Sequence, residues 1–107
     1  MTGARVNEAN QLDRVMSEKE LSQQVRQLAA LKGFKVYHTF LSLYSDVGFP
    51  DLCIAKEGRL IFAELKTEKG KLSAAQKDWL EILSATGACE VYLWRPSSWD
   101  EIVSALA

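Results

Sequence analysis

Apolar residues recur at helical intervals near the start of the chain. Ser17 and Glu20 have the spacing of a capping box, in which each side chain bonds the other residue's backbone N–H. The apolar residues that follow at three- and four-residue steps are Leu21, Val25, Leu28 and Leu31. This pattern predicts an amphipathic helix that ends at Gly33. Residues 1–15 lack such a pattern, and we expect a flexible N-terminal tail there.

Three strands are predicted next. Residues 34–40 alternate, with Phe34, Val36, His38 and Phe40 on one face. Residues 41–47 then form a connection. Two apolar runs, 52–55 and 60–65, flank polar residues 56–59, which predicts a β-hairpin with a four-residue loop.

A second helix and a fourth strand complete the pattern. Ser73 and Gln76 repeat the capping-box spacing, and the predicted buried stripe of this helix comprises Trp79, Ile82 and Leu83. Residues 90–95 are rich in β-branched and aromatic side chains, which is typical of a strand. A short helix through Ile102 ends the chain.

The predicted order is αβββαβα, an α/β domain. The strand, helix, strand crossover places the last strand parallel to the third, so we expect a mixed four-stranded sheet flanked by helices. A chain of 107 residues with 48% hydrophobic content accommodates one compact domain, here residues 16–107, and no second one.

The hairpin brings two carboxylates together. If Ala55 pairs with Leu60, Asp51 lies opposite Glu64, and Lys66 shares the face of Glu64. Like charges that face each other on a sheet repel, so the pair is expected to bind a cation, and a divalent metal ion fits. The alternative is a surface ion pair of Glu64 with Lys66, in which Asp51 only opens its strand.

The charge balance bears on the partner. A net charge of −1 and a pI near 5.8 argue mildly against nucleic acid, whose partners usually carry a basic excess. The basic residues are nevertheless clustered within positions 56–77, namely Lys56, Arg59, Lys66, Lys69, Lys71 and Lys77. Such a cluster is more often a solvated face than a binding patch.

Other candidate chemistry is weaker. His38 is the only histidine and is more often a packed residue than a ligand in such a setting. Cys53 and Cys89 lack zinc-site spacing, and we expect two reduced core thiols. We find no membrane-spanning stretch and no signal-peptide core, so we expect a cytoplasmic protein.

Residues 17–95 resemble the virus-type replication-repair nuclease domain, VRR-NUC, of the PD-(D/E)xK nuclease superfamily. The resemblance rests on the first helix with Glu20 and on three further segments. These are Gly-Phe-Pro-Asp at 48–51, Glu-Leu-Lys at 64–66 and Leu-Ser-Ala-Ala-Gln-Lys-Asp-Trp at 72–79. It implies a restriction-endonuclease-like core and a phosphodiesterase that uses Mg²⁺ or Mn²⁺.

The resemblance also implies roles for single residues. Asp51 and Glu64 would be metal ligands, the carbonyl of Leu65 another, and Lys66 would orient or activate the attacking water. Magnesium needs only one or two carboxylates besides waters and substrate phosphate, which agrees with this hairpin.

Two residues of the predicted helices, Glu20 and Gln76, each have two alternative roles. By resemblance, Glu20 would join the metal shell directly or through water, and Gln76 would lie near the site. The capping boxes by themselves account for both residues.

Small free-standing VRR-NUC domains are phage and bacterial proteins that form homodimers and cut four-way DNA junctions. The domain fused into the Fanconi-associated nuclease acts on flaps as a monomer. We therefore expect a metal-dependent endodeoxyribonuclease, a homodimeric Holliday junction resolvase of a bacterial or phage-infected cytoplasm. The alternatives are a flap or nicking nuclease and a non-catalytic nucleic-acid-binding subunit. Leu41, Leu43 and Tyr44 are candidates for the dimer surface.

Overall fold

The computed structural model describes residues 10–39 and 46–107. The helices are α1 (Gln11–Val15), α2 (Glu18–Leu31), α3 (Ala74–Ala85) and α4 (Trp99–Ala105). The strands are β1 (Lys35–His38), β2 (Leu52–Lys56), β3 (Arg59–Leu65) and β4 (Glu90–Trp94), and a 3₁₀ turn, Pro96–Ser98, precedes α4. Phe40 and the three candidate dimer residues, Leu41, Leu43 and Tyr44, lie outside the described residues.

The four strands form one sheet in the order β1-β2-β3-β4. β1 and β2 are antiparallel, β2 and β3 are antiparallel, and β3 and β4 are parallel. The parallel pair follows from the crossover through α3. This helical connection carries the chain back to the end of the sheet at which β3 began, so that β4 runs in the same direction as β3. The predicted α/β class with a mixed four-stranded sheet and flanking helices is confirmed.

The hairpin register is the predicted one, but its loop is shorter. Leu52 pairs with Ala63, as expected, and the ladder continues to a pair of Lys56 with Arg59. Only Glu57 and Gly58 remain in the loop, so the prediction of four loop residues is wrong. Gly58 has φ +83°, a value that tight hairpin turns require and that glycine adopts without steric cost.

One face of the sheet holds the hydrophobic core, which α2 and α4 cover. The buried apolar residues are Leu21, Val25, Ala29, Phe34, Leu52, Ile54, Ile61, Ala63, Leu65, Trp94, Ile102 and Leu106. The stripe of α2 thus runs through Leu21, Val25 and Ala29, so Leu31 lies off it and is 81% exposed. The prediction that Leu31 continues the apolar stripe of this amphipathic helix is therefore wrong.

Helix α3 covers the other face only partly. It buries no residue, and Ile82, predicted in its buried stripe, is 55% exposed. An aromatic group joins α3 to the sheet: the Phe49 ring lies edge-on to Phe62 at 5.7 Å and to Trp79 at 5.0 Å between centroids. Both cysteines are free thiols and are only partly buried, so they are not core residues.

A short helix occupies part of the predicted tail. Asn10 and Asp13 form a capping box at the start of α1. No residue of α1 is buried, so hydrophobic periodicity does not reveal it. In the described ranges, no helix has the length and apolar character needed to cross a membrane.

Gly48 sets the distance between the turn before β2 and the start of α3. We predict that Gly48→Ala destabilises the fold by roughly 3 kcal/mol, through left-handed backbone strain plus overpacking. Gly48 has φ +91°, and a Cβ there would lie 2.6 Å from the carbonyl carbon of Ala75. Chemical denaturation measures the effect.

The matched control is Gly58→Ala. Gly58 has a similar φ of +83°, but a Cβ there meets nothing within 4 Å. It should cost about 1 kcal/mol, from backbone strain alone. Equal losses for the two variants would contradict a steric role of the contact between Gly48 and Ala75.

Candidate active site

Asp51 and Glu64 face each other at one end of the hairpin. Leu52 pairs with Ala63, so the next residues outward, Asp51 and Glu64, lie side by side. The Oδ2 of Asp51 accepts a hydrogen bond of 2.8 Å from the backbone N–H of Leu65. This bond fixes the Asp51 carboxylate against the neighbouring strand.

The entry to β2 is held by Thr39, a residue that sequence reasoning did not single out. Its backbone N–H donates to the carbonyl of Asp51 at 2.8 Å. Its hydroxyl donates to the carbonyl of Pro50 at 3.0 Å, and Pro50 itself is fully buried. The backbone that presents Asp51 is therefore fixed on both sides of its peptide bond.

The Glu64 carboxyl group is unusually placed for an ionisable group, being only 2% exposed. Its Oε2 accepts a hydrogen bond of 3.1 Å from Nε2 of Gln76. Its Oε1 is buried, and no described residue gives it a hydrogen-bond partner. Glu64 thus keeps one buried oxygen available for a further ligand.

Burial is the main reason why the pKa of Glu64 rises from the ordinary 4.5 to about 8. The negative charge of Asp51 is the second cause, and the Lys66 ammonium opposes both. A pair of facing carboxyls of this kind is expected to share a proton or to bind a cation at neutral pH.

Lys66 lies on the same face as Glu64. Its N–H donates to the carbonyl of Trp94 at 3.0 Å, which extends the β3–β4 pairing beyond Leu65. The Leu65 side chain points into the core and is 1% exposed, so only the backbone of Leu65 reaches the site. Lys66 is half-buried, which limits the freedom of its ammonium group.

Gln76 serves the cap and the site together. Its Oε1 accepts from the N–H of Ser73 at 2.9 Å, and its own N–H donates to the Ser73 hydroxyl at 3.1 Å. The other end of the amide, Nε2, donates to Glu64. The two alternatives for Gln76 are compatible because the two ends of one amide make the two contacts.

Glu20 is occupied elsewhere. Its Oε1 accepts from the N–H of Ser17 at 2.9 Å, and these hydrogen bonds lower its pKa. Among the residues that the structure describes, no three His, Cys, Asp or Glu side chains are grouped to bind a metal ion. The structure therefore does not assemble Glu20 with Asp51 and Glu64 into a three-carboxylate cluster.

Glu18 makes the weakest of the charge contributions that raise the pKa of Glu64. It occupies the first helical position after the Ser17 cap.

The residues present fit a hard divalent cation. The donors are two facing carboxylates, one of them with a buried oxygen that lacks a partner. Mg²⁺ requires oxygen ligands, uses one or two carboxylates and retains several waters. A bound cation would also remove the repulsion between Asp51 and Glu64.

We predict that Glu64→Gln changes how stability depends on pH in metal-free protein. Because the Glu64 pKa is raised from 4.5 to about 8, folded wild type binds more protons than unfolded chain in that window. The free energy of unfolding of wild type therefore falls as pH rises through it. In the variant, the free energy of unfolding should not fall over this pH range, and near pH 8 the variant should be more stable than wild type. Denaturation with a chelator present measures both.

Glu20→Gln is the control for that experiment, because the Glu20 pKa is lowered and its contribution has the opposite sign. It should reduce stability slightly at neutral pH. If the free energy of unfolding of Glu64→Gln depended on pH as that of wild type does, the Glu64 carboxylate would not be destabilising.

Comparisons with known proteins agree with this fold. The model of the VRR-NUC domain family matches residues 4–95 of the chain. A solved structure described as a VRR_NUC domain superposes with a TM-score of 0.65 at 22% sequence identity. The match covers 83% of this chain and 97% of that one, and no curated protein sequence matches. The chain therefore belongs to the VRR-NUC family and contains a nuclease-type domain.

Proposed function

We propose that this protein is a Mg²⁺- or Mn²⁺-dependent endodeoxyribonuclease that hydrolyses phosphodiester bonds at the Asp51–Glu64 pair. The observation that carries the proposal is the buried Glu64 carboxyl, which faces Asp51 and keeps one oxygen without a hydrogen-bond partner among the described residues. A like-charged pair of this kind is costly unless it binds a cation. The pair therefore favours a metal-binding role over a structural one.

Each residue has a distinct task in this proposal. Asp51, Glu64 and the carbonyl of Leu65 would hold the cation. When bound, the cation neutralises charge on the phosphoryl group and lowers the pKa of a coordinated water. The Lys66 ammonium orients the attacking water and stabilises the negative charge that develops on the phosphoryl oxygens.

Two further residues act on Glu64. Gln76 occupies Oε2, so that Oε1 is the oxygen left for the metal. Glu18 adds negative charge from the start of α2. No covalent intermediate is required.

We further propose that the substrate is branched DNA and that the protein acts as a homodimeric Holliday junction resolvase. The support is the resemblance to small VRR-NUC domains that cut four-way junctions. Two active sites related by a two-fold axis suit the near-symmetric strands of a junction.

Cleavage of labelled DNA tests the function. Wild type should make paired symmetric cuts in a synthetic four-way junction with Mg²⁺ or Mn²⁺, and Asp51→Asn should abolish them because it removes a metal-ligating charge. The control is Asp100→Asn, a change at an exposed acid on α4, which should cut as wild type does. Strand positions are read on denaturing gels.

Other outcomes replace parts of the proposal. Cutting of a flap or a linear duplex in preference to the junction would keep the nuclease and discard the resolvase. Absence of metal-dependent cutting on junction, flap and duplex would favour a non-catalytic binding subunit.

A pair of cap variants isolates the second role of Gln76. Ser73→Ala and Gln76→Ala each break the same capping box and should cost about 1 kcal/mol of stability. Only Gln76→Ala also frees Oε2 of Glu64, so it alone should lower kcat, by roughly tenfold, which corresponds to one lost hydrogen bond to a charged group. Equal kcat values for the two variants would reduce Gln76 to a helix cap.

A further inference from the structure

The turn that follows β3 is built around one guanidinium group. Nη1 of Arg95 donates to the carbonyls of Thr67 at 2.7 Å, Glu68 at 3.3 Å and Gly70 at 2.7 Å. Arg95 itself comes directly after β4, at the same end of the sheet as Glu64. Three carbonyls around one nitrogen fix the path of the chain from Thr67 to Gly70.

The acidic residue of this turn, Glu68, is hydrogen-bonded to Ser97. The Glu68 carboxylate accepts from the N–H of Ser97 at 3.1 Å and from the Ser97 hydroxyl at 2.6 Å. Lys69 and Lys71, on the two sides of Gly70, are exposed. Within residues 10–39 and 46–107, neither lysine has a carboxylate within ion-pair distance. The exposed side of the turn is therefore cationic.

The turn contacts the candidate active site directly. A Cβ built on Gly70 would lie 3.4 Å from Cδ of Lys66 and 2.9 Å from the Thr67 hydroxyl. The backbone of Gly70 therefore packs beside the aliphatic part of Lys66. Lys69 and Lys71 flank Gly70 in the chain, so both lie close to Lys66 of the candidate active site.

The two basic residues at the loop end of the hairpin, Lys56 and Arg59, are already engaged. Nζ of Lys56 donates to the carbonyl of Lys32 at 3.3 Å and lies 4.2 Å from the Phe34 ring centroid. Arg59 bonds both oxygens of Glu90 at 2.8 and 2.7 Å. These two lie at the loop end of the hairpin, about 16 Å from Asp51 for a strand of this length. The basic cluster in the sequence thus separates into a structural part and a free part.

We infer that the turn from Thr67 to Gly70, fixed by Arg95, forms with the adjoining Lys71 a phosphate-contact element, which binds the DNA backbone beside the scissile bond through Lys69 and Lys71. This inference rests on the proposed function and adds the backbone contact that the net charge of −1 conceals. Ammonium groups bind phosphates without reading bases, so the element contributes position and affinity, and no sequence preference. Arg95 acts as a positioning residue through the turn.

Salt-dependent binding tests the element. Lys69→Gln with Lys71→Gln is made in the Asp51→Asn background, and binding to a labelled junction with Mg²⁺ is measured by anisotropy between about 50 and 200 mM salt. The slope of log K against log salt should become shallower by about 2, since each lost phosphate contact removes roughly 0.9 on duplex DNA.

The matched control removes the same charge at the other end of the sheet. Lys32 and Lys35 are exposed, and Lys35 pairs with Ala55 near the hairpin loop. Lys32→Gln with Lys35→Gln should leave the slope unchanged. Equal slopes for the two double variants would overturn the inference.

Two further readouts separate the possible failures. In the active background, the Lys69 and Lys71 pair should raise KM and leave kcat within about threefold, because a uniform binding contact is lost. Arg95→Lys keeps the positive charge, but a lysine cannot bind the three carbonyls of the turn. This variant should bind the junction more weakly than wild type although Lys69 and Lys71 are both present. An affinity equal to that of wild type would overturn the positioning role of Arg95. If wild type neither cleaves nor binds any DNA, the proposed function itself fails.

Discussion

Like-charged carboxyl groups at Asp51 and Glu64 stand opposite each other on neighbouring strands, and much of the surrounding structure serves to keep them there. Repulsion and burial both oppose this arrangement, as the raised pKa of Glu64 shows. Three contacts partly offset this repulsion and burial. The Leu65 N–H donates to Asp51, the Gln76 amide donates to Glu64, and the ammonium group of Lys66 supplies positive charge. A buried polar group that is held by defined hydrogen bonds is oriented, and an oriented oxygen is what a metal site needs.

One face of the sheet holds the hydrophobic core, and the other carries the candidate active site. The face under α2 and α4 buries the core, including Trp94 and Ile102, and provides most of the apolar burial that holds the fold. The face under α3 buries far less, but it carries Glu64 and Lys66. Helix α3 is placed there by Gly48, whose missing side chain allows close approach to Ala75, and by the aromatic contacts of Phe49.

Local sequence patterns predicted this arrangement well where the contacts are local. Alternation along the hairpin specified which side chains share a face, so the opposition of Asp51 and Glu64 followed from pairing alone. Both capping boxes, at Ser17 and at Ser73, are short-range hydrogen-bond patterns and formed as predicted. The pattern was less informative for α1, which buries nothing, and for Leu31 and Ile82, whose exposure depends on how each helix is rotated against the sheet.

The sequence by itself determined the order of the elements from α2 to α4, the hairpin register and the carboxylate pair, because each depends on residues close together in the chain or on strict strand alternation. Only the tertiary structure decided that Gln76 reaches Glu64 and that Arg95 fixes the turn beside Lys66. These contacts join segments separated by 12 or more residues, and their geometry is set by how the helices pack on the sheet, which periodicity does not encode.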